Sequence, residues 1–138
     1  MMLVQQSYAK AKLAAVSGVV LGLWLGLDPL IRTLIVLIGL DLISGLIYAW
    51  TSGKISSDAS MRGMAKKALM LILVGAAHVY NGAQSLGFDA ASLVAGFFCT
   101  TEFISIVENC GRVGIPIPKP IKVAIEKLNK QLDQETTQ

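Results

Sequence analysis

Four polar side chains lie inside long apolar runs of the sequence, where a polar group is costly. They are Asp41, His78, Asn81 and Glu102. A charged group at the centre of a bilayer costs about 2.5–3.5 kcal/mol on insertion scales, so it faces protein or water rather than lipid. We expect the four to lie near one depth, forming a polar layer at a subunit interface or an aqueous lumen. A satisfied polar contact inside a helical bundle, without a transport role, is the alternative.

Patterns typical of enzyme active sites do not occur in the sequence. There is a single histidine, and no nucleophile elbow, phosphate-binding glycine-rich loop or HExxH motif is found. We therefore expect neither catalysis nor a cofactor or metal site. Cys99 and Cys110 lie about 16 Å apart along a helix, beyond disulfide reach, and are expected to be unpaired thiols.

The composition is that of a membrane protein of one domain. Of the 138 residues, 54% are hydrophobic and 15% are charged. No basic patch with interleaved aromatic residues occurs, so nucleic acid is not an expected partner. Residues 30–50 form the longest apolar stretch, in which only Arg32 and Asp41 are charged. A helix of that length rises about 30 Å, the thickness of the hydrocarbon core.

The apolar runs predict an all-α integral membrane protein with about four transmembrane helices. The expected spans cover residues 13–27, 30–50, 68–88 and 90–107. The first is short, and it crosses only if Lys10 and Lys12 reach the interface or the bilayer thins. Asp28-Pro29 is a turn signal that starts the second helix, and Asp28 lies one turn from Arg32, close enough to pair.

Positive charge alternates between the connectors. Basic residues precede the first span (Lys10, Lys12), separate the second from the third (Lys54, Arg62, Lys66, Lys67) and follow the fourth (Arg112 and later lysines). The other two connectors carry Asp28 and Asp89. Four spans with both termini in the cytoplasm satisfy the positive-inside rule, whereas three spans place one basic end outside.

Small residues recur at four-residue spacing in the first and fourth spans. The stripes are Ala14, Gly18, Gly22 and Gly26 in the first, and Ser92, Gly96 and Thr100 in the fourth. Such stripes allow close approach of helix backbones, so we expect them to be helix–helix contact faces. The alternative is that glycine is simply frequent in membrane helices.

A C-terminal amphipathic helix is expected over about residues 120–132, after a proline-rich break. Its apolar residues share one face, and the basic residues Lys119, Lys122, Lys127 and Lys130 lie elsewhere. This pattern suits the surface of an anionic inner leaflet. Packing against the connectors of the protein itself is an equal alternative.

Three stretches resemble the phage lysis and toxin-secretion holins, the family that includes the clostridial toxin-release holin. They are Asp41-Leu42-Ile43-Ser44-Gly45; Ser56-Ser57 with Arg62-Gly63 and Lys66-Lys67; and Glu102-Phe103-Ile104-Ser105-Ile106-Val107-Glu108-Asn109 with Gly114-Ile115-Pro116-Ile117-Pro118-Lys119. The last block is the most specific, and the resemblance covers about residues 30–128. In the third span the chain has His78 or Asn81 where an aspartate is expected.

The resemblance implies a protein that accumulates in the bacterial cytoplasmic membrane, oligomerises with itself and opens holes. Its partners would be the lipid bilayer, further copies and an endolysin or protein toxin as cargo; whether an antiholin takes part is left open. A small four-span transporter that couples protons or ions through Asp41 or Glu102 is the alternative. A structural membrane adaptor is the third possibility.

Overall fold

The computed structural model describes residues 2–53, 55–84 and 87–136, which fold into five α-helices. They are α1 (Met2–Gly26), α2 (Pro29–Thr51), α3 (Ser57–Ala83), α4 (Ala90–Val113) and α5 (Lys119–Thr136). Three segments are long and apolar enough to cross a membrane: Pro29–Thr51, Ser60–Ala83 and Ala90–Val113. The all-helical membrane architecture is confirmed. The first span stays a prediction, because the apolar part of α1, Lys12–Gly26, is shorter.

The turn before α2 forms as its sequence predicts. Asp28 caps the helix by accepting a hydrogen bond from the Leu30 amide at 2.8 Å, and Pro29 is the first helical residue. The expected pairing of Asp28 with Arg32 is wrong. Within the described residues, the ion pairs are those of Lys67 and of Arg112. The Asp28 carboxylate serves the helix cap instead.

Helix α3 begins and ends at different residues from those expected. It begins at Ser57 rather than at residue 68 and ends at Ala83 rather than at residue 88. Helix-favouring Ala, Met and Lys residues carry it through Lys66 and Lys67, and Asp58 suits its first turn. Its midpoint therefore lies near Met70, and His78 lies towards the α3–α4 connection.

Helices α2, α3 and α4 each turn one face inwards at alternating three- and four-residue spacing. The inward residues are Ile31, Leu34, Ile38, Asp41, Gly45 and Tyr48 on α2; Gly63, Lys67, Met70, Val74, Ala77 and Asn81 on α3; and Ala91, Ala95, Phe98, Glu102 and Asn109 on α4. This spacing is that of helices packed at small crossing angles. Helix α4 packs against both α2 and α3. The small core consists of Leu34, Ile38, Val74 and Ala95.

The outward faces of this three-helix bundle are apolar. Exposed side chains include Val36, Ile43 and Leu46 on α2, Leu69, Ile72 and Val79 on α3, and Leu93, Phe97 and Phe103 on α4. Buried polar groups thus lie inside an apolar exterior, the reverse of a water-soluble bundle. Lipid is the solvent that this surface fits.

The turn between α3 and α4 is tied by side-chain hydrogen bonds. Asp89 caps α4 by accepting bonds from the backbone amide and the hydroxyl of Ser92. Asn81 donates to the Asp89 carboxylate and accepts from the Ala90 amide at 3.1 Å. The Ser92 hydroxyl, followed by its amide, holds the pKa of Asp89 below its usual range.

Helix α4 ends in a left-handed glycine, and the tail then folds back onto it. Gly114 has φ +100°, a conformation that favours glycine, and its amide reaches the Cys110 and Gly111 carbonyls. In α5, Ile125 is buried, and Asn129 donates to Glu108 at 3.4 Å. The tail helix thus rests on α4, and it covers more residues than expected.

Candidate functional site

One lysine joins two carboxylates inside the bundle. The Lys67 ammonium lies 2.8 Å from Asp41 Oδ2 and also donates a hydrogen bond to Glu102 Oε2. The side chains of Lys67, Asp41 and Glu102 are 12%, 12% and 3% exposed. Since each comes from a different helix, the group ties α2, α3 and α4 together at one level. We call these three residues the charge cluster.

An amide completes the surroundings of Asp41. Asn109 Nδ2 donates to Asp41 Oδ1 and to Ser44 Oγ, each at 3.1 Å, and the Ser44 hydroxyl donates to the Asp41 carbonyl at 3.0 Å. Both carboxylate oxygens of Asp41 therefore have a donor, Lys67 on one side and Asn109 on the other. A buried carboxylate with two donors avoids most of the cost of leaving water.

The charge cluster is negative overall when its three groups are ionised, because two carboxylates share one ammonium. At an effective dielectric constant of about 20, charges 2.8 Å apart attract by about 6 kcal/mol, and the loss of hydration opposes this attraction. A buried ion pair therefore adds little net stability, but removing one partner leaves a costly unpaired charge. Lys67 is the group on which both carboxylates depend.

A groove between α2 and α3 leads to the charge cluster. It has a volume of about 410 Å³. Its lining includes Gly45, Ala49, Ser60 and Gly63 along its length, with Asp41 and Lys67 at the polar end. These small side chains leave the space between the two helices open at this point. Molecules the size of water fit within the groove, so the ion pair is not sealed on this side.

The predicted polar layer is reduced to two of its four members in the structure. Asp41 and Glu102 lie together on Lys67, as their expected common depth suggested. His78 is exposed on α3, and it is about 16 Å along the helix from Lys67. Asn81 faces inwards but ties the α3–α4 turn. The prediction that His78 and Asn81 lie at the depth of Asp41 and Glu102 is wrong, because α3 starts earlier than its apolar run.

Sequence reasoning missed Lys67, Asn109 and Ser44 as parts of the site. Lys67 adjoins Lys66 in a basic segment, so its charge alone predicts a place in the connector. Its spacing to Met70, Val74 and Asn81 on one helical face was the signal that could have placed it inside. Asn109 follows Glu102 by two helical turns, which puts both side chains on the same face of α4.

The glycines of the α1 stripe have open space beside them, as far as the described part of the chain shows. Side chains built at Gly18, Gly22 and Gly26 would meet no heavy atom within 4 Å. The hydroxyl of Ser17 donates back to the Ala14 carbonyl, and the large aliphatic side chains of α1 between Leu13 and Leu25 are exposed. On α4, by contrast, a side chain at Gly96 would lie 4.0 Å from Leu30 of α2. Ser92 serves the cap of α4.

The remaining predicted residues lie at the surface. The tail lysines Lys119, Lys122, Lys127 and Lys130 are all exposed on α5. Cys99 and Cys110 are half-buried free thiols, which confirms that they are unpaired.

Comparison with known proteins places the chain in a family. The sequence model of the bacteriophage holin family matches residues 18–130. An uncharacterized 14.9 kDa protein in the nagH 3' region of Clostridium perfringens is 38% identical over 104 residues, covering 75% of this chain and 78% of the relative. An uncharacterized protein of Halalkalibacterium halodurans is 32% identical over 126 residues, covering 88% and 91% of the two chains.

A relative with a functional name supports the same assignment. A probable holin of Bacillus phage phi105 is 27% identical over 97 residues, covering 70% of this chain and 72% of the phage protein. No solved structure gives a significant match. The chain belongs to the bacteriophage holin family, and the holin resemblance predicted from the sequence is confirmed.

Proposed function

We propose that this chain is a holin that inserts into the bacterial cytoplasmic membrane, associates with further copies and forms holes that release an endolysin or a protein toxin. The observation that carries this proposal is the charge cluster inside an apolar exterior. Charged groups with matched partners allow insertion of each subunit. The same groups supply the polar surface that a water-filled hole requires.

Association of subunits is supported by the exposed faces of α1. Its stripe of Ala14, Gly18, Gly22 and Gly26 has open space beside the glycines. In lipid, close packing of small residues replaces the hydrophobic driving force that operates in water. A second copy of the chain is the partner that we assign to this stripe.

Hole formation would require the charge cluster to meet water. The groove between α2 and α3 already reaches Asp41 and Lys67. Separation of α3 from its neighbours in an oligomer would widen that groove and hydrate the three charges. Hydration lowers the cost of separating them, because their attraction falls as the dielectric constant rises.

The membrane topology belongs to the same proposal. Four spans put Lys10 and Lys12 on the same side as the basic α2–α3 connector and the C-terminal lysines. The test is labelling of Gln5→Cys or Gln134→Cys, each in a background that lacks Cys99 and Cys110. An impermeant thiol reagent applied outside should label neither position. External labelling of either would contradict four spans with cytoplasmic termini.

The exposed lysines of α5 support contact with the membrane surface. Lysines near an anionic leaflet contribute about 1 kcal/mol each. Since Asn129 ties the helix to Glu108 of α4 and Ile125 is buried, we propose that the lysines face the leaflet from that position. Replacing Lys122 and Lys127 by Gln should delay lysis without lowering the amount of inserted protein.

The decisive experiment is induced expression in a bacterium with a membrane-potential dye and a co-expressed endolysin. The native chain should give abrupt depolarisation after a delay, followed by lysis. Asp41→Leu should insert but abolish both, whereas Asp58→Leu, which removes an exposed carboxylate at the start of α3, should behave as native. Full activity of Asp41→Leu would remove Asp41 from the mechanism.

A small proton- or ion-coupled transporter is the second candidate, and the two carboxylates that share Lys67 favour it. Binding of one monovalent cation beside the two carboxylates would restore neutrality to the charge cluster, as a coupling site requires. A transporter would give slow or no lethality, and no endolysin would escape. Abrupt, endolysin-dependent lysis therefore separates the two candidates.

A further inference from the structure

Arg32 is a charged side chain for which the described chain supplies no partner. Its Nε is buried and has no hydrogen-bond acceptor, and the carboxylate one turn away, that of Asp28, caps α2. An arginine stays charged at any physiological pH, and its planar group offers five donors. A partly buried guanidinium without an anion is unfavourable, so the site requires an acceptor from outside the described residues.

The depth of Arg32 indicates where that acceptor lies. Arg32 is the fourth residue of α2, about 4.5 Å from the helix start, whereas Asp41 lies about 13 Å deeper. If Asp41 is near the bilayer centre, Arg32 is at the edge of the hydrocarbon core, where lipid phosphates begin. Trp24 lies at the same end, as an interfacial aromatic residue does.

A cleft beside Arg32 combines one charged group with apolar side chains. It has a volume of about 380 Å³ and is lined by Trp24, Pro29, Arg32, Thr33, Val36 and Leu37. Arg32 lies towards the membrane surface, and Val36 and Leu37 lie one turn deeper along α2. One charged group at the rim with aliphatic side chains below it matches an anionic headgroup above an acyl chain.

We propose that this cleft binds an anionic phospholipid, with its phosphate on the Arg32 guanidinium and an acyl chain along Val36 and Leu37. Guanidinium and phosphate form paired, charge-assisted hydrogen bonds. A lipid with a net negative charge binds better than a zwitterionic lipid, whose ammonium group opposes the arginine. This site depends on membrane insertion alone, so its test is independent of hole formation.

Quenching of Trp24 fluorescence by brominated lipid tests the proposal directly. Trp50→Phe leaves Trp24 as the only tryptophan. The protein is placed in vesicles of equal phosphatidylglycerol and phosphatidylcholine, and the bromine is on either one lipid or the other. Brominated phosphatidylglycerol should quench more strongly, reflecting a local enrichment of about tenfold, as one charge-assisted hydrogen bond supplies.

Two variants assign the preference to the cleft. Arg32→Gln should abolish the difference between the two brominated lipids. Arg62→Gln, which removes an exposed arginine from α3, should leave it intact. Equal quenching by both lipids in the native protein would overturn the proposal, as would a preference that survives Arg32→Gln.

Two further outcomes identify a different occupant. If inorganic phosphate added to the vesicles removes the excess quenching, the site takes free phosphate and the lipid assignment fails. If both lipids quench equally and Arg32→Gln lowers chemical cross-linking between subunits, the cleft belongs to a second copy of the chain. Excess quenching that withstands phosphate supports the phospholipid.

Discussion

Replacing Lys67 should destabilise the bundle more than any other single change in the charge cluster. In Lys67→Met the side chain keeps its length, but Asp41 and Glu102 lose their common counter-ion. Removing one partner of a buried pair costs about 3–5 kcal/mol, and here two carboxylates are affected, so we expect the upper end. That corresponds to roughly a thousandfold or larger loss in the folding equilibrium.

The other members of the charge cluster should be less sensitive, because each leaves a matched pair behind. In Asp41→Asn, Lys67 retains Glu102, and Asn109 keeps Ser44 as an acceptor. A loss of about 1.5–3 kcal/mol is expected, the value of a hydrogen bond to a charged group. In the triple variant Lys67→Met, Asp41→Asn, Glu102→Gln the charge cluster is uncharged. This variant should recover most of the stability lost by Lys67→Met.

The assay is unfolding of the purified protein in mixed micelles by dodecyl sulfate, followed by circular dichroism. Lys66→Met is the matched control, since Lys66 is the exposed neighbour of Lys67 on the same helix. The reasoning is refuted if Lys67→Met unfolds at the same midpoint as Lys66→Met. It is also refuted if the triple variant is no more stable than Lys67→Met alone.

Three further predictions address other parts of the chain. Gly18→Leu with Gly22→Leu should fill the open face of α1, reduce cross-linked oligomers and delay lysis; unchanged oligomers and lysis timing would contradict the stripe. Asn109→Leu should cost about 1–3 kcal/mol in the same unfolding assay, because a buried carboxylate oxygen loses its donor; native stability would show that the bond is dispensable. The Ser92 hydroxyl lowers the pKa of Asp89 in the folded protein. The stabilisation by the Asp89 cap is therefore complete above the pKa of Asp89 in the unfolded chain, about 3.9, and disappears as the pH falls through its lower pKa in the folded protein. The difference in melting midpoint between the native chain and Asp89→Ala should therefore be constant near neutral pH and vanish in strong acid; a difference that persists there would exclude the carboxylate as its source.

The sequence predicted the turn before α2 well, because local chemistry determines it. Asp28-Pro29 starts α2 and Asp89 caps α4 through contacts within three residues. The ends of α3 were less predictable. Hydropathy places a span where apolar residues dominate, whereas the helix itself continues through polar residues that favour helix. By hydropathy alone, the charged first half of α3 therefore has the character of a connector.

The same distinction explains why only part of the charge cluster was predicted. Asp41 and Glu102 stand out because they interrupt apolar runs. Lys67 adjoins Lys66 in a basic segment, and by charge alone the two lysines are equivalent. Only the helical phase of α3 separates them, turning Lys67 inwards and Lys66 to the surface. That phase follows from tertiary packing against α4, which composition does not encode.

Of the three bundle helices, α3 contributes the fewest buried aliphatic side chains among the described residues. Among the described residues, its one buried aliphatic side chain is Val74, whereas α2 contributes Leu34 and Ile38, and α4 contributes Ala95 and Ile104 among others. Lipid supplies no hydrophobic force to hold α3 in place, because it is as apolar as the core. The attachment of α3 is therefore sensitive to loss of Lys67, because carboxylates left without their counter-ion in a dry interior are costly. Water that enters the groove between α2 and α3 weakens the attraction of Lys67 to its two partners, so we expect hydration of the groove to loosen α3.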